Sequence, residues 1–482
     1  MFPRLSAPLL AALIALLLAA SAWADPVTDG LRAAKGLARE GQPAEAWKVV
    51  SSLSPLQEED VPALRELATA LEALEAYPES LDVLARALRA SPTDEGARHD
   101  AEAQLQRHGP PLWLSKQTVQ FLPIAVHVLA SSPDGPESLS WIDCAPYVSQ
   151  AVYAEPRTGK TMAWSRCLYS QESERWQLRF AVHCETSEDS PLAEKTGLLL
   201  ARLRGLARQR LGVDRPLLGD GDLQVWLCPW GAAGGEHWRN NLFFYDVRKA
   251  RAPAEWVREI AHEFGHAMLP SPGGYREPES WSNGPLGERL FLRWLSEAAA
   301  PPRPAPPVWS PAPDFAAYQT QKLKPLRERF LMQAPAKQQL AVDQAQAMDS
   351  FLALALTVEE TYGPRLLSEA LAGMAGSAPA DFWVSLAAKL ATPEKLSVRA
   401  EGGFPVLSSR HEAIRLLQGG GPEEPAKRGY RVTGLPGGKG QSRLAAEGEW
   451  VELGPGWNWV DVLTPPVGAT MVSIERRRSR VP

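Results

Sequence analysis

The chain has 482 residues, a formal charge of -5 at pH 7, 45% apolar residues and 22% charged residues. A weakly acidic balance without a basic face excludes nucleic acid as the expected partner. The ordinary apolar share excludes a wholly disordered chain, and the length allows two to four domains at ~100–200 residues each.

In chain order, residues 1–24 read as a removable export signal. Arg4 supplies the positive start, Leu9 to Ala20 is an unbroken apolar run, and Ala22-Trp23-Ala24 is a small-x-small cleavage pattern. The run falls short of the ~20 residues a membrane span needs. No stable membrane span is therefore expected after cleavage, and the expected location is periplasmic or extracellular.

Residues 25–109 read as helices. Gly41-Gln42-Pro43-Ala44-Glu45-Ala46-Trp47 and Ala76-Tyr77-Pro78-Glu79-Ser80-Leu81-Asp82 form two degenerate copies, each followed by an apolar helix. This spacing resembles tetratricopeptide repeats, which would offer a docking surface for a protein partner. An ordinary helical bundle is the alternative.

Residues 110–175 read as β-rich, with strand chemistry at Val119 to Val126 and, just beyond, at Trp176 to Val182. A long helix at about Leu192 to Leu211, a strand at Leu223 to Leu227, a Gly-rich turn and a strand at Leu242 to Val247 follow. Residues 301–317 are a Pro-rich linker, 318–392 a helical subdomain and 393–482 a small β-rich region. The tryptophans of that tail (Trp450, Trp457 and Trp459) fit a core better than a sugar- or peptide-binding face. The expected class is thus α+β and multidomain. Cys144, Cys167, Cys184 and Cys228 form no C-x-x-C pair. In an exported chain they fit two disulfides, with Cys144–Cys167 and Cys184–Cys228 favoured.

The segment that carries chemistry runs from Ala252 to Pro270. Pro253 suits a first helical turn and Pro270 closes the helix. At ~100° per residue, Trp256, Val257, Ile260, Ala261, Phe264, Ala267 and Met268 share one face. His262 and His266 fall together on nearly the opposite one, with Glu263 beside them. The i, i+4 spacing stacks two imidazoles so that both can point at one ion, and Glu263 can take a proton from a water. This is the content of an H-E-x-x-H motif, and Zn²⁺ is the cofactor it suggests. Zinc needs a third protein ligand. Glu288, at the start of the next helix, is favoured, with Glu277 and Glu279 as rivals and Glu297 a weaker one. Tyr275 and Tyr362 are hydroxyls that could face an oxyanion.

The run from about Trp176 to Trp294 resembles the core of a gluzincin-type, peptidase MA-like metallopeptidase. Residues 176–300 would then be a zincin-like catalytic core, a mixed sheet with active-site helices. The resemblance implies that His262, His266 and Glu288 bind zinc and that Glu263 is the general base in peptide hydrolysis. Leu292 stands where the family often has an Asp, and Pro285-Leu286-Gly287-Glu288-Arg289 replaces a common Trp-Leu-x-Glu-Gly pattern. The expected function is an exported zinc-dependent peptidase acting on peptide or protein substrates. The alternative is a non-catalytic exported scaffold or binding protein with an inert zincin-like core.

Overall fold

A computed structural model of the chain describes residues 26–52, 60–122, 127–129, 141–143, 153–172, 175–213, 222–270, 272, 282–298, 315–331, 348–391, 395–400, 403–408, 412–418, 429–434, 443–454, 456–463 and 470–478. The export-signal expectation for residues 1–24 lies outside them, as does most of the Pro-rich segment 301–317. The chain divides into two compact units, residues 1–130 with 140–190, and residues 131–139 with 191–482. The architecture is multidomain, mixing helices with several sheets. No helix among the described residues is long and apolar enough to cross a membrane.

The first unit opens with α1 (Pro26–Arg39), α2 (Pro43–Ser52), α3 (Val61–Ala73), α4 (Tyr77–Ala90) and α5 (Glu95–His108). Prolines at the first turns start α3 and α4 where a missing N–H costs nothing. Asp60 and Asp94 cap α3 and α5 by accepting from the N–H of Ala63 and Ala97. Leu64, Leu67, Ala68, Leu71, Leu81, Leu84 and Leu88 bury one shared core between these helices.

Next come β1 (Trp113–Ser115), α6 (Lys116–Phe121), β2 (His127–Leu129), β3 (Trp141–Asp143), β4 (Tyr153–Ala154), β5 (Thr161–Met162), β6 (Trp164–Glu172) and β7 (Arg175–Cys184). Strands β2, β3, β6 and β7 pair antiparallel in that order, and β1 also pairs with β7. One expectation is corrected here. Val119 was placed in a strand, but Lys116–Phe121 is helical, because the Ser115 hydroxyl caps the N–H of Thr118 and local capping overrides β-branched chemistry.

The disulfide expectation is also corrected. Cys167, Cys184 and Cys228 are buried free thiols, so neither favoured pairing forms with them, while Cys144 lies outside the described residues. Each thiol packs as a small apolar group on a buried strand. Cys184 Sγ and Cys228 Sγ lean on the carbonyls of Thr186 and Trp226, at 3.4 Å and 3.8 Å.

The second unit starts with α7 (Ser190–Leu206), which widens into a π-helical turn at Ala207–Leu211. Then come β8 (Leu223–Cys228), β9 (Gly234–Trp238) and β10 (Asn241–Tyr245). Strand β10 pairs parallel with β8 and antiparallel with β9, which leaves β9 as the outer strand. The motif helix α8 (Pro253–Met268) packs against α9 (Asn283–Ala298). Helices α10 (Phe315–Tyr318), α11 (Lys324–Leu331), α12 (Met348–Tyr362), α13 (Pro364–Ala372) and α14 (Pro379–Ala391) follow. A second π-helical turn, Gln319–Leu323, joins α10 to α11.

The unit ends in eight strands: β11 (Lys395–Ala400), β12 (Gly403–Ser408), β13 (Glu412–Gln418), β14 (Gly429–Gly434), β15 (Arg443–Ala446), β16 (Trp450–Leu453), β17 (Gly456–Val462) and β18 (Thr470–Arg478). They form two four-stranded antiparallel sheets, ordered β11-β18-β13-β16 and β12-β17-β14-β15. Alternate residues of both sheets, such as Ile414 and Leu416, Tyr430 and Val432, and Val472 and Ile474, share one core. Trp450 and Trp459 do not join it, while the side chain of Trp457 lies outside the described residues. Trp450 is half-buried under the guanidinium groups of Arg415 and Arg477, at 5.1 Å and 4.2 Å, and Trp459 Nε1 donates to Asp461.

Candidate functional site

Helix α8 forms where its sequence pattern places it. Pro253 occupies the first turn, and Glu255 reaches back to accept from the N–H of Ala252 at 3.3 Å. Trp256, Val257, Ile260, Ala261, Phe264, Ala267 and Met268 are all buried, as one apolar face requires. Arg251 anchors the start of the helix: its guanidinium pairs with Glu259 at 2.5 Å and lies over the Trp256 ring.

His262 and His266 lie one above the other, ring centroids 5.0 Å apart. Their orientation is set from α9, by two residues that sequence reasoning treated differently. Asn283, which it missed, donates from Nδ2 to the carbonyls of His266 (3.2 Å) and Leu269 (3.0 Å). Those bonds fix the amide, so Oδ1 is the acceptor for His266 Nδ1–H at 2.8 Å. Asn283 thereby also satisfies carbonyls at the end of α8.

Glu288 lies on the far side of His262. Its Oε2 faces His262 Nδ1 at 3.4 Å, and its Oε1 accepts from Arg258 Nε and from the Tyr318 hydroxyl, each at 3.0 Å. Burial raises the pKa of this carboxyl, but the hydrogen bond with His262 and the charges of Arg289 and Arg258 outweigh it and hold the group down at about 2. An ionised Glu288 only accepts, so His262 Nδ1 is the donor. Burial, followed by the charge of Glu288, pushes the Tyr318 hydroxyl well above its ordinary pKa, so it remains a donor. A proton on Nδ1 of each ring leaves Nε2 as the atom that faces away from Glu288 and Asn283.

The Nε2 atoms lie beside the space that a side chain at residue 284 would take. A Cβ built on Gly284 would collide with His266 Nε2 and come within 2.8 Å of His262 Nε2. The first turn of α9 thus leaves the space beside both nitrogens free of a side chain. The two helices come together closely because α8 and α9 cross glycine on glycine. A Cβ on Gly265 would come within 2.8 Å of Gly287 Cα and of the Asn283 carbonyl.

The zinc expectation is corrected on this geometry. Zinc takes three or four donors at ~2.0–2.3 Å. Among the described residues no three His, Cys, Asp or Glu side chains are grouped to hold a metal ion. Glu288, the favoured third ligand, is turned to the Nδ1 of His262 and is held there by Arg258 and Tyr318. Glu297 pairs with Arg210 and Arg293 instead. Glu277, Glu279 and Tyr275 lie outside the described residues. Tyr362 is in contact with Arg476 of the C-terminal strands.

The strand beside the motif helix, Gly234–Trp238, was missed as well, because Gly231 to Gly235 reads as a Gly-rich turn. Its Gly235 gives room to Glu263: a Cβ there would lie within 2.6 Å of the carboxylate. His237, two residues on, is on the same strand face and stacks against His266, centroids 6.0 Å apart. Its Nε2 is buried with no hydrogen-bond partner among the described residues. Burial, then the charge of His266, lowers the His237 pKa to about 4, so the ring is neutral at pH 7. Glu236 points to the other face and accepts from the Tyr245 hydroxyl.

A cleft of about 590 Å³ runs along this region, lined by Gly234, Gly235, Arg251, Arg258, His262, Glu263 and Glu288 among others. It holds a buried carboxylate, Glu263, at its floor and the outer strand β9 at its side. No protein-family model matches the chain, and a search of curated proteins found no match either.

Proposed function

We propose that this chain is an exported, non-catalytic binding protein in which a zincin-like core holds an extended peptide segment of a partner. The single observation that carries the reading is that, among the described residues, no third His, Cys, Asp or Glu side chain is grouped with His262 and His266 to hold a metal ion, Glu288 being engaged at the Nδ1 of His262. The motif residues are present, but among the described residues they lack the donor set that hydrolysis by this motif needs. The cleft beside them is suited to binding. Strand β9 is the last in its sheet order, and an extended peptide can add to such an edge through main-chain hydrogen bonds. The tetratricopeptide-like helices α1–α5 supply a second docking surface in this reading, and the apolar segment before residue 25 supplies export.

The experiment is incubation of the purified chain with unfolded casein, with cleavage and binding both followed. Binding without cleavage is expected, and Glu263→Gln is expected to bind as the wild type does. Cleavage that disappears in Glu263→Gln overturns the reading.

A second reading has one observation in its favour, the buried Glu263 carboxylate at the cleft floor under the side-chain-free Gly235. In that reading the chain is an exported peptidase. Glu263 takes a proton from a water that attacks the amide carbonyl, then passes it to the leaving amine.

A further inference from the structure

Helix α8 lines the cleft with Glu255, Arg258, Glu259, His262 and Glu263, residues three and four apart that share one helix face. The loop after β10 lines it with Lys249 and Arg251. These cations are not equivalent. The Arg251 side chain is nine-tenths buried and is engaged by Glu259 and by the Tyr245 carbonyl. Lys249 is exposed and has no ion pair among the described residues. Arg258 is half-exposed, and only its Nε is used, donating to Glu288 Oε1 at 3.0 Å. Its Nη1 and Nη2 make no hydrogen bond among the described residues.

Arg258 is also held still. The Glu288 side chain is under a tenth exposed and is fixed by the Tyr318 hydroxyl at 3.0 Å and by His262 Nδ1 at 3.4 Å. A guanidinium tethered through Nε to a fixed carboxylate keeps its plane and offers its remaining N–H donors as a fork. The acids of the cleft lie deeper: Glu263 and Glu288 are buried, and Glu259 and Glu288 each face an arginine. Glu255, which is exposed, turns back to the N–H of Ala252. Unmatched donors at the mouth therefore belong to Arg258 and Lys249.

We infer that Arg258, supported by Lys249, is the receptor for an acidic side chain, Asp or Glu, of the extended segment that the cleft takes. The planar fork of a guanidinium matches the two oxygens of a carboxylate. A fork already fixed by Glu288 loses less side-chain freedom on binding than a free surface arginine. The inference deepens the binding reading and rests on it, naming an acidic peptide as the partner, but the two can fail separately.

The test is fluorescence anisotropy of the full chain with two labelled, end-blocked peptides that differ at one central residue, Glu or Gln, at low salt and neutral pH. Wild type is expected to bind the Glu peptide about tenfold more tightly, since hydrogen bonds between charged groups exceed neutral ones by that order. Arg258→Gln is expected to abolish the preference. Arg258→Lys, which keeps the charge without the fork, and Lys249→Gln are each expected to reduce it. Equal binding of the two peptides by the wild type, or binding of neither, overturns the inference. So does a preference that survives in Arg258→Gln with native circular dichroism. If Arg258→Gln does not fold, Arg258→Lys and Lys249→Gln decide, and an unchanged preference in both overturns it. A gain seen only for a Gln peptide with a free C-terminal carboxylate overturns it as well, because the receptor then reads a chain end. Cleavage of the peptides, followed by mass spectrometry on the same samples, sinks the non-catalytic reading without touching the preference for Glu.

Discussion

The α8–α9 crossing and the C-terminal strand pair of sheets are both tightly packed, but they reach that state by opposite means. The sheets bury alternating Val, Ile, Leu and Tyr side chains, with Ile414, Val460, Val472 and Ile474 fully buried. The crossing brings backbones together at Gly265 and Gly287 and fills its polar interior with His266, Asn283 and Glu288, each under a tenth exposed. Side-chain packing fails when atoms are removed, whereas backbone packing fails when atoms are added. The buried polar groups at the crossing tolerate neither, because each bond there satisfies a group that burial would otherwise leave unpaired.

The largest expected effect is on the sheet side. Ile414→Ala leaves a cavity in the shared core and should cost ~2–5 kcal/mol in denaturant unfolding. A loss below ~1 kcal/mol would mean that the two sheets do not share one core. On the helix side the same methyl chemistry acts in reverse. Gly265→Ala adds one carbon and should cost ~1–3 kcal/mol, although alanine is the better helix former. An unchanged or higher midpoint would show that the crossing is looser than described.

Acid sharpens the comparison, because the crossing holds Glu288 and its neighbouring strand holds His237, both with lowered pKa values. The unfolded chain takes up a proton on His237 near 6.5, while burial and His266 delay uptake in the folded protein to about 4. Stability should therefore fall as pH drops from 6.5 towards 4. Glu288 adds a second fall between about 4.5 and 2, since its folded pKa is depressed. His237→Phe should remove the first fall and Glu288→Gln the second, as read from unfolding midpoints across pH. Retention of both falls in the double variant would assign them elsewhere. The smallest effect is again on the sheets: Trp450→Ala loses two guanidinium contacts and should cost ~0.5–1 kcal/mol beyond its packing. A salt-independent, zero change would show those contacts to be idle.

The motif helix was legible because one periodicity fixes both its faces. The apolar positions from Trp256 to Met268 all became buried, and His262 and His266 came to lie one above the other. The start of α9 near Glu288 was legible too, although Asn283 was not, because an isolated Asn before a helix reads only as a cap. Strand β9 was lost to its glycines, which read as a turn until β10 pairs with them. The cysteines suggested bridges because sequence gives their number and not their distances.

Sequence by itself determined the elements that rest on local rules. These are the proline-started helices, the alternating strands of the C-terminal sheets, and the placement of His262, Glu263 and His266 on one helix. Tertiary structure alone decided which nitrogen of His262 faces Glu288, that Asn283 orients His266, and that a residue without a side chain, Gly284, stands beside both rings. The reason is geometric. Spacing along a chain sets which residues share a helix face, while the depth at which a second helix seats on it depends on close contacts between residues distant in sequence.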